Sequence, residues 1–412
     1  MQKTDRHGQR QTIPRTVWAL GFVSLSMDVS SELVHSLLPM LLVSTLGASV
    51  LTVGIIEGIA EATALIVKIF SGAISDMFQR RKVLLLAGYG LAALTKPLFP
   101  LAEAASTVFL ARFVDRIGKG IRGAPRDALI ADVTPAEIRG ASFGLRQTMD
   151  TVGAFLGPGL AIGLMLLLNN QIELALWFAV IPAFMSVGFI VFGVHEPPAS
   201  PPSDPAGNRV RPRFPLSRKE LAQLSGAYWW VVIVGAVFTL ARFSEAFLIL
   251  KAQQTGFDEA WVPLVMVVMA AFFSISAYPA GWLSDRVGRP ILLVVGLILL
   301  IAADLVLSLT GTVHGTLAGA ALWGLHMGFS QGILAAMVAD TIPERLKGTA
   351  FGVFSVVSGI SMLVASVLAG ALWSYWGSSV TFLTGALFAL ASLVLMTWRK
   401  LSFQGQSASK DN

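Results

Sequence analysis

Apolar residues fill this chain in long blocks separated by short polar turns, from residue 16 almost to residue 398. A helix needs about 20 such residues to cross a hydrocarbon layer about 30 Å thick. Twelve blocks meet that length, at roughly 16–43, 48–75, 83–104, 106–131, 140–168, 174–194, 226–252, 259–284, 290–310, 314–339, 347–373 and 377–398. Each is predicted to be a membrane-spanning helix, six in each half of the chain.

The halves repeat one another. Gly72-Ala-Ile-Ser-Asp76-Met-Phe-Gln-Arg80-Arg81-Lys82 returns as Gly281-Trp-Leu-Ser-Asp285-Arg286-Val-Gly288-Arg289, with the two aspartates 209 residues apart. Ala131-Asp132-Val-Thr-Pro135-Ala-Glu-Ile-Arg139-Gly140 returns as Ala339-Asp340-Thr-Ile-Pro343-Glu-Arg-Leu-Lys347-Gly348, at an offset of 208. Two long matches in register predict a duplicated protein: an all-α polytopic fold of twelve helices in two pseudo-symmetric six-helix bundles.

Charge fixes the expected orientation. Lys and Arg crowd into alternate connections: Lys3 to Arg15, Arg80 to Lys82, Arg139, Arg209 to Lys219, Arg286 and Arg289, Arg345 and Lys347, Arg399 and Lys400. The intervening loops, near 44–50, 104–106, 169–173, 253–258, 311–313 and 374–377, hold none. By the positive-inside rule both termini and the central connection are cytoplasmic, in the inner membrane of a bacterial cell. The net charge of +6 therefore reflects topology and predicts no nucleic-acid partner.

Composition agrees, at 55% hydrophobic and 13% charged, where a soluble domain carries about a quarter charged residues. The first apolar run is long and is interrupted by Asp28 and Glu32, so it is expected to remain as a span rather than be cleaved. Without cysteine there is no thiol or disulfide chemistry. No phosphate loop, nucleophile elbow or metal-ligand spacing is present, so neither an enzyme nor a cofactor is expected. The segments are read as a tail (1–15), a first bundle (16–194), a proline-rich basic linker (195–224), a second bundle (225–398) and a tail (399–412).

The doubled hairpin resembles the signature of the major facilitator superfamily of secondary transporters, which carries it after spans two and eight. Arg116-Ile-Gly-Lys-Gly120 in span four is similar to the family's Arg-x-x-x-Gly stretch, whose arginine is tied to proton transfer. Gly144, Gly153, Gly157 and Pro158 in span five resemble the helix-packing motif of drug:proton antiporters, with Ala161-Ile162 where a closing glycine pair is usual. The resemblance implies two bundles rocking about a central site near the membrane midplane. It also implies a state-dependent latch of Gly72, Asp76, Arg80 and Arg81 with Gly281, Asp285, Arg286 and Arg289. In that latch Asp76 meets the start of span eleven and Asp285 the start of span five.

Ionisable residues inside a span cost about 2.5 to 3.5 kcal/mol each on insertion scales, so they mark function or pairing. Asp28, Glu32 and His35 share one stripe of span one, Glu57 and Glu61 one of span two, and Arg112, Arg116, Lys119 and Arg126 one of span four. The acidic stripes are expected to meet the basic one. Asp28, Glu32, Glu57, Glu61 and Asp150 are candidate proton carriers, with Arg116 as their modulator. His35, Arg112, Lys119, Arg242, Glu245 and His326 are candidate cavity residues, Arg242 and Glu245 being spaced to pair on one helix face. A static ion-pair lattice would use the same groups. The expected function is proton-coupled export of a small amphipathic compound by a monomer. The alternatives are proton-coupled import of a small anion, favoured by the cationic span four, and a membrane sensor that transports nothing.

Overall fold

Uninterrupted apolar runs rich in Leu, Val, Ala and Met satisfy their backbone internally as helices, the economical solution in hydrocarbon. The computed structural model describes residues 12–78, 80–197, 221–343 and 346–408, with side chains at all of these except 73, 76, 78, 285 and 398–408. The first half contains α1 (Arg15–Met40), α2 (Val50–Phe78), α3 (Arg81–Thr95), α4 (Ala105–Val133), α5 (Arg139–Leu167), α6 (Ile172–Trp177) and α7 (Val180–Gly193). The second contains α8 (Gly226–Ala241), α9 (Ala246–Gln254), α10 (Leu264–Val287), α11 (Arg289–Leu309), α12 (Val313–Asp340), α13 (Lys347–Trp376) and α14 (Ser378–Ala408). The pairs α6–α7 and α8–α9 each form one interrupted span, so the twelve expected blocks are all helical in their expected order.

Ten of these segments are long and apolar enough to cross a membrane. The two that fall short are α3, which stops after 15 residues and continues as a 3-10 turn over Lys96–Leu98, and α4. The latter has ample length at 29 residues but carries Arg112, Asp115, Arg116, Lys119, Arg122, Arg126, Asp127 and Asp132. Its polarity is turned inward: Arg112, Asp115, Arg116 and Arg122 are buried.

The chain forms two compact units, one of Met1–Leu46 with Thr63–Pro215, the other of Gly47–Ala62 with Leu216–Asn412. In the first, α1 packs on α5 and α7, and α3 on α4 and α7. Val17, Leu20, Met27, Leu85, Tyr89, Leu129 and Ile130 form its core. In the second, α12 packs on α10 and α11, while α14 packs on α8 and α11. The opening of α2 is grouped with that second unit because small residues let it touch α13: a Cβ on Gly58 would lie 3.1 Å from the Leu363 carbonyl, and one on Gly370 2.9 Å from Leu51 Cα.

Backbone chemistry sets several helix ends. Gly288, at φ 93°, makes the turn from α10 to α11, a conformation that side-chain-bearing residues rarely adopt. After Pro39 the end of α1 widens into a π turn over Leu41–Thr45. Glu196, just beyond α7, accepts from the backbone N–H groups of Arg81 and Lys82 at the start of α3. Lys82 Nζ returns the favour to the end of α7, donating to the carbonyls of Val191 at 3.0 Å and Val194 at 2.7 Å.

Candidate functional site

The acidic stripe of α1 is set against the small-residue motif of α5. A Cβ on Gly153 would stand 2.9 Å from Asp28 Cβ, and one on Gly157 2.6 Å from Glu32 Cβ. Glycine at these two positions is what lets the α1 carboxylates sit against the α5 backbone. Gly144 meets nothing within 4 Å, so this member of the motif does not share the close approach, and Pro158 is buried inside α5. Glu32 also lies 3.9 Å from His35 Nδ1 along the stripe.

Basic groups from α4 and α5 complete the cluster. Asp28 stands in the field of Asp150, Arg122, Arg126 and Glu32. Arg126 donates to Ser24 Oγ at 2.8 Å and lies 3.8 Å from Asp150. Arg146 reaches Asp150 at 2.9 Å and Asp127 at 3.7 Å. The Arg122 guanidinium lies over the Tyr89 ring, 4.6 Å from its centroid, where the ring face attracts a cation. The result is an α1–α4–α5 array in which two half-buried carboxylates, Asp28 and Asp150, share the fields of several arginines.

About two helical turns before Arg122 on α4, Asp115 is 2.9 Å from Lys96 and 3.7 Å from Arg116. Lys96 also donates to Ser31 Oγ at 3.2 Å. Lys96 and Asp115 are 1% and 2% exposed, so this pair is closed to water. Arg112 is as deeply buried, whereas Lys119 is exposed.

In the second unit the span built from α8 and α9 is unwound at 242–245. Arg242 and Glu245 therefore do not share a face of one continuous helix, contrary to their spacing. Ser244 holds the break open: its N–H donates to Ser366 Oγ at 3.2 Å, and its hydroxyl accepts from the N–H of Ala246 at 3.2 Å and donates to Glu57 at 3.4 Å. Arg242 lies in the fields of Glu245 and Glu61. Glu57 and Glu61 thus belong to this second charged group, since the opening of α2 is part of the second unit. Discontinuous helices that leave backbone and charge unpaired by regular structure are where transporters bind solutes and ions.

His326 is fully buried in α12, its Nδ1 3.4 Å from Ser330 Oγ and its ring against Phe238 and Trp323. At the repeated hairpins, the side chains of Asp76 and Asp285 lie outside the described residues. Arg81 pairs with Asp132 at 2.9 Å, Arg286 stacks on Trp282 at 3.7 Å, and Arg289 pairs with Asp340 while donating to the Ala336 carbonyl at 3.1 Å. Gly72 and Gly281 have no close neighbour demanding glycine, and Arg80 is exposed.

Ser24, Ser31, Tyr89 and Ser244 are site residues that charge-based reading passes over. Spacing could have found the first two: Ser24, Asp28, Ser31 and His35 recur every three or four residues on α1. Nothing in sequence signals Ser244, whose role depends on the helix break.

The family model described as Major Facilitator Superfamily matches residues 20–251 and 246–411. An uncharacterized MFS-type transporter of Methanocaldococcus jannaschii is 31% identical over 402 residues, covering 96% of this chain and 97% of that protein. The class E tetracycline resistance protein of Escherichia coli is 26% identical over 339 residues, covering 79% and 80% of the two chains. Among solved structures, a bacterial homolog of the human lysosomal transporter Spinster superposes with a TM-score of 0.75 at 13% identity, covering 94% of this chain and 97% of the other.

Proposed function

The chain belongs to the major facilitator superfamily, and on that premise we propose that it is a proton-coupled exporter of a small amphipathic compound, working by alternating access. The observation that carries the reading is the seating of Asp28 and Glu32 against Gly153 and Gly157 of the α5 motif, with Arg122 and Arg126 in the field of Asp28. The proton affinity of a carboxylate in such a site depends on its distances to the neighbouring arginines and carboxylate and on its hydration, so any movement of α1 against α4 or α5 changes it. Such a movement would convert proton binding into a change of state. Asp150 and Arg116 join this coupling group. In this reading Arg242 and Glu245, in the break between α8 and α9, are the candidate contacts for the cargo. The similarity to a tetracycline resistance protein supports a drug-like class of cargo.

The same reading has the protein act as a monomer in a bacterial inner membrane, and the Lys and Arg bias between alternate loops supports cytoplasmic termini. The repeated hairpins act as the latch, Asp76 and Asp285 meeting helix starts in one state and releasing them in the other.

A second reading rests on Arg112, Arg116 and Arg122, which are 1%, 2% and 5% exposed on a single helix. That concentration of positive charge favours proton-coupled import of a small anion. Proteoliposomes with an acidic lumen and an internal pH dye separate the two. Adding amphipathic dyes and antibiotics, tetracycline included, should alkalinise the lumen as cargo enters against protons, and Asp28→Asn should abolish the response. Lumenal acidification driven by an added small anion would overturn the exporter reading.

A further inference from the structure

Asp304, in the middle of the second half of α11, belongs to none of the charged groups above. It is 0% exposed, and neither carboxyl oxygen has a hydrogen-bond partner among the described residues. Its surroundings are aromatic and tightly fitted. A Cβ on Gly385 of α14 would lie 2.6 Å from Asp304 Oδ2 and 3.1 Å from Phe243 Cε1. Phe243 is the second residue of the unwound segment, and its ring packs against Trp323 and Phe382, each with centroids 5.5 Å away. Trp323 brings a further buried polar atom without a partner, its Nε1.

A buried carboxylate with no counter-charge and no donor is among the least favourable arrangements a protein can hold, whereas a neutral carboxylic acid is tolerated. The titratable groups on the elements packed around Asp304 are His314, His326 and Asp340 of α12, Tyr278 and Arg286 of α10, and Arg242 and Glu245 of the unwound segment, with Lys251 of α9 beyond it. Lys251 is engaged with Ser378 at 3.4 Å, Glu57 with Ser244 at 3.4 Å, and Arg242 with the fields of Glu245 and Glu61. Residues 378–397 of α14 contribute no charge, and α10 carries its charged residues only at its far end.

We propose that Asp304 is a proton-binding site of the second unit, separate from the α1 carboxylates, taking and releasing its proton past Phe243 at the break between α8 and α9. The site has the features such a role needs: a carboxyl that is buried without a hydrogen-bond partner among the described residues, and one wall, Phe243, borne by irregular backbone that can move without breaking a helix. Opening that wall admits water, which stabilises the ionised form and lets the proton leave. The proposal deepens the proton-coupled reading, yet its test does not require the cargo to be known.

The full-length protein in lipid nanodiscs is titrated by infrared difference spectroscopy, with the proton itself as the probe. The carbonyl band of a protonated carboxylic acid should be present at neutral pH, vanish in Asp304→Asn, persist in Asp28→Asn, and fade reversibly as the pH is raised. Should Asp304→Asn not fold, Gly385→Ala, which presses a methyl group on Oδ2, should shift the same band in frequency. A band that never titrates would make Asp304 a structural acid, and the absence of any Asp304-dependent band would show it ionised; either overturns the proposal. If instead wild-type vesicles show no proton movement with any cargo while the Asp304 band titrates, the coupling reading fails and the proton site stands.

Discussion

Lys96 Nζ and Asp115 Oδ1 stand 2.9 Å apart where almost no water reaches, joining the turn after α3 to the middle of α4. Neither partner is tolerable there alone. Attraction between them offsets a desolvation cost of several kcal/mol per ion, so the pair is held together by the penalty of separating it.

Removing one member should therefore cost more than removing both. Asp115→Asn is expected to destabilise the protein by about 3–5 kcal/mol, and Lys96→Met with Asp115→Leu together to recover most of that loss. Thermal unfolding of the detergent-solubilised protein across the two single variants and the double variant checks this. Equal losses in all three would show that the pair contributes nothing as a pair.

Close packing of α1 on α5 gives a second expectation. Gly157→Ala and Gly153→Ala should each cost about 1–3 kcal/mol by overpacking against Glu32 and Asp28, and should lower gradient-driven transport along with stability. Gly144→Ala, with no atom within 4 Å of the new methyl group, should be silent in both assays.

Arg126 and Asp150 are expected to act as a unit. A double-mutant cycle with Arg126→Gln and Asp150→Asn should show a coupling of about 0.5–3 kcal/mol in thermal unfolding, as for residues in one ion-pair network. Additive losses would place the two charges in separate environments despite the 3.8 Å between them.

At the other end of the first unit, Glu196→Gln weakens an anion at the N-terminus of α3. The expected loss is about 0.3–1 kcal/mol, rising to about 2 if the site is well shielded, and shrinking in high salt. Transport should persist, because the hydrogen bonds of Glu196 go to the backbone of Arg81 and Lys82 at the start of α3 rather than to the coupling group. A salt-insensitive loss would assign the effect to packing instead.

The coarse fold was legible because its determinants are local. Length, apolarity and repeat spacing specify a helix and its place in a duplicated array without knowledge of any neighbour. The α4 charges were equally visible as anomalies in an apolar chain. Their partners were not: which carboxylate faces Arg126 or Lys96 depends on how α1, α3 and α5 rotate about their axes when packed. The break between α8 and α9 escaped for a different reason. Residues 241–246 read Ala-Arg-Phe-Ser-Glu-Ala, with neither proline nor glycine to announce a stop, and the unwound geometry is upheld by Ser366 and Glu57 from distant segments.

By itself the sequence determined twelve helices, their duplicated order, and the charges that any membrane fold must account for. The tertiary structure alone decided that Glu57 and Glu61 join the second unit while Asp28 and Glu32 stay with the first, and that Asp304 has no partner where Lys96 has one. The physical reason is that the energy of a buried charge depends on the few atoms that surround it, and those atoms come from other helices.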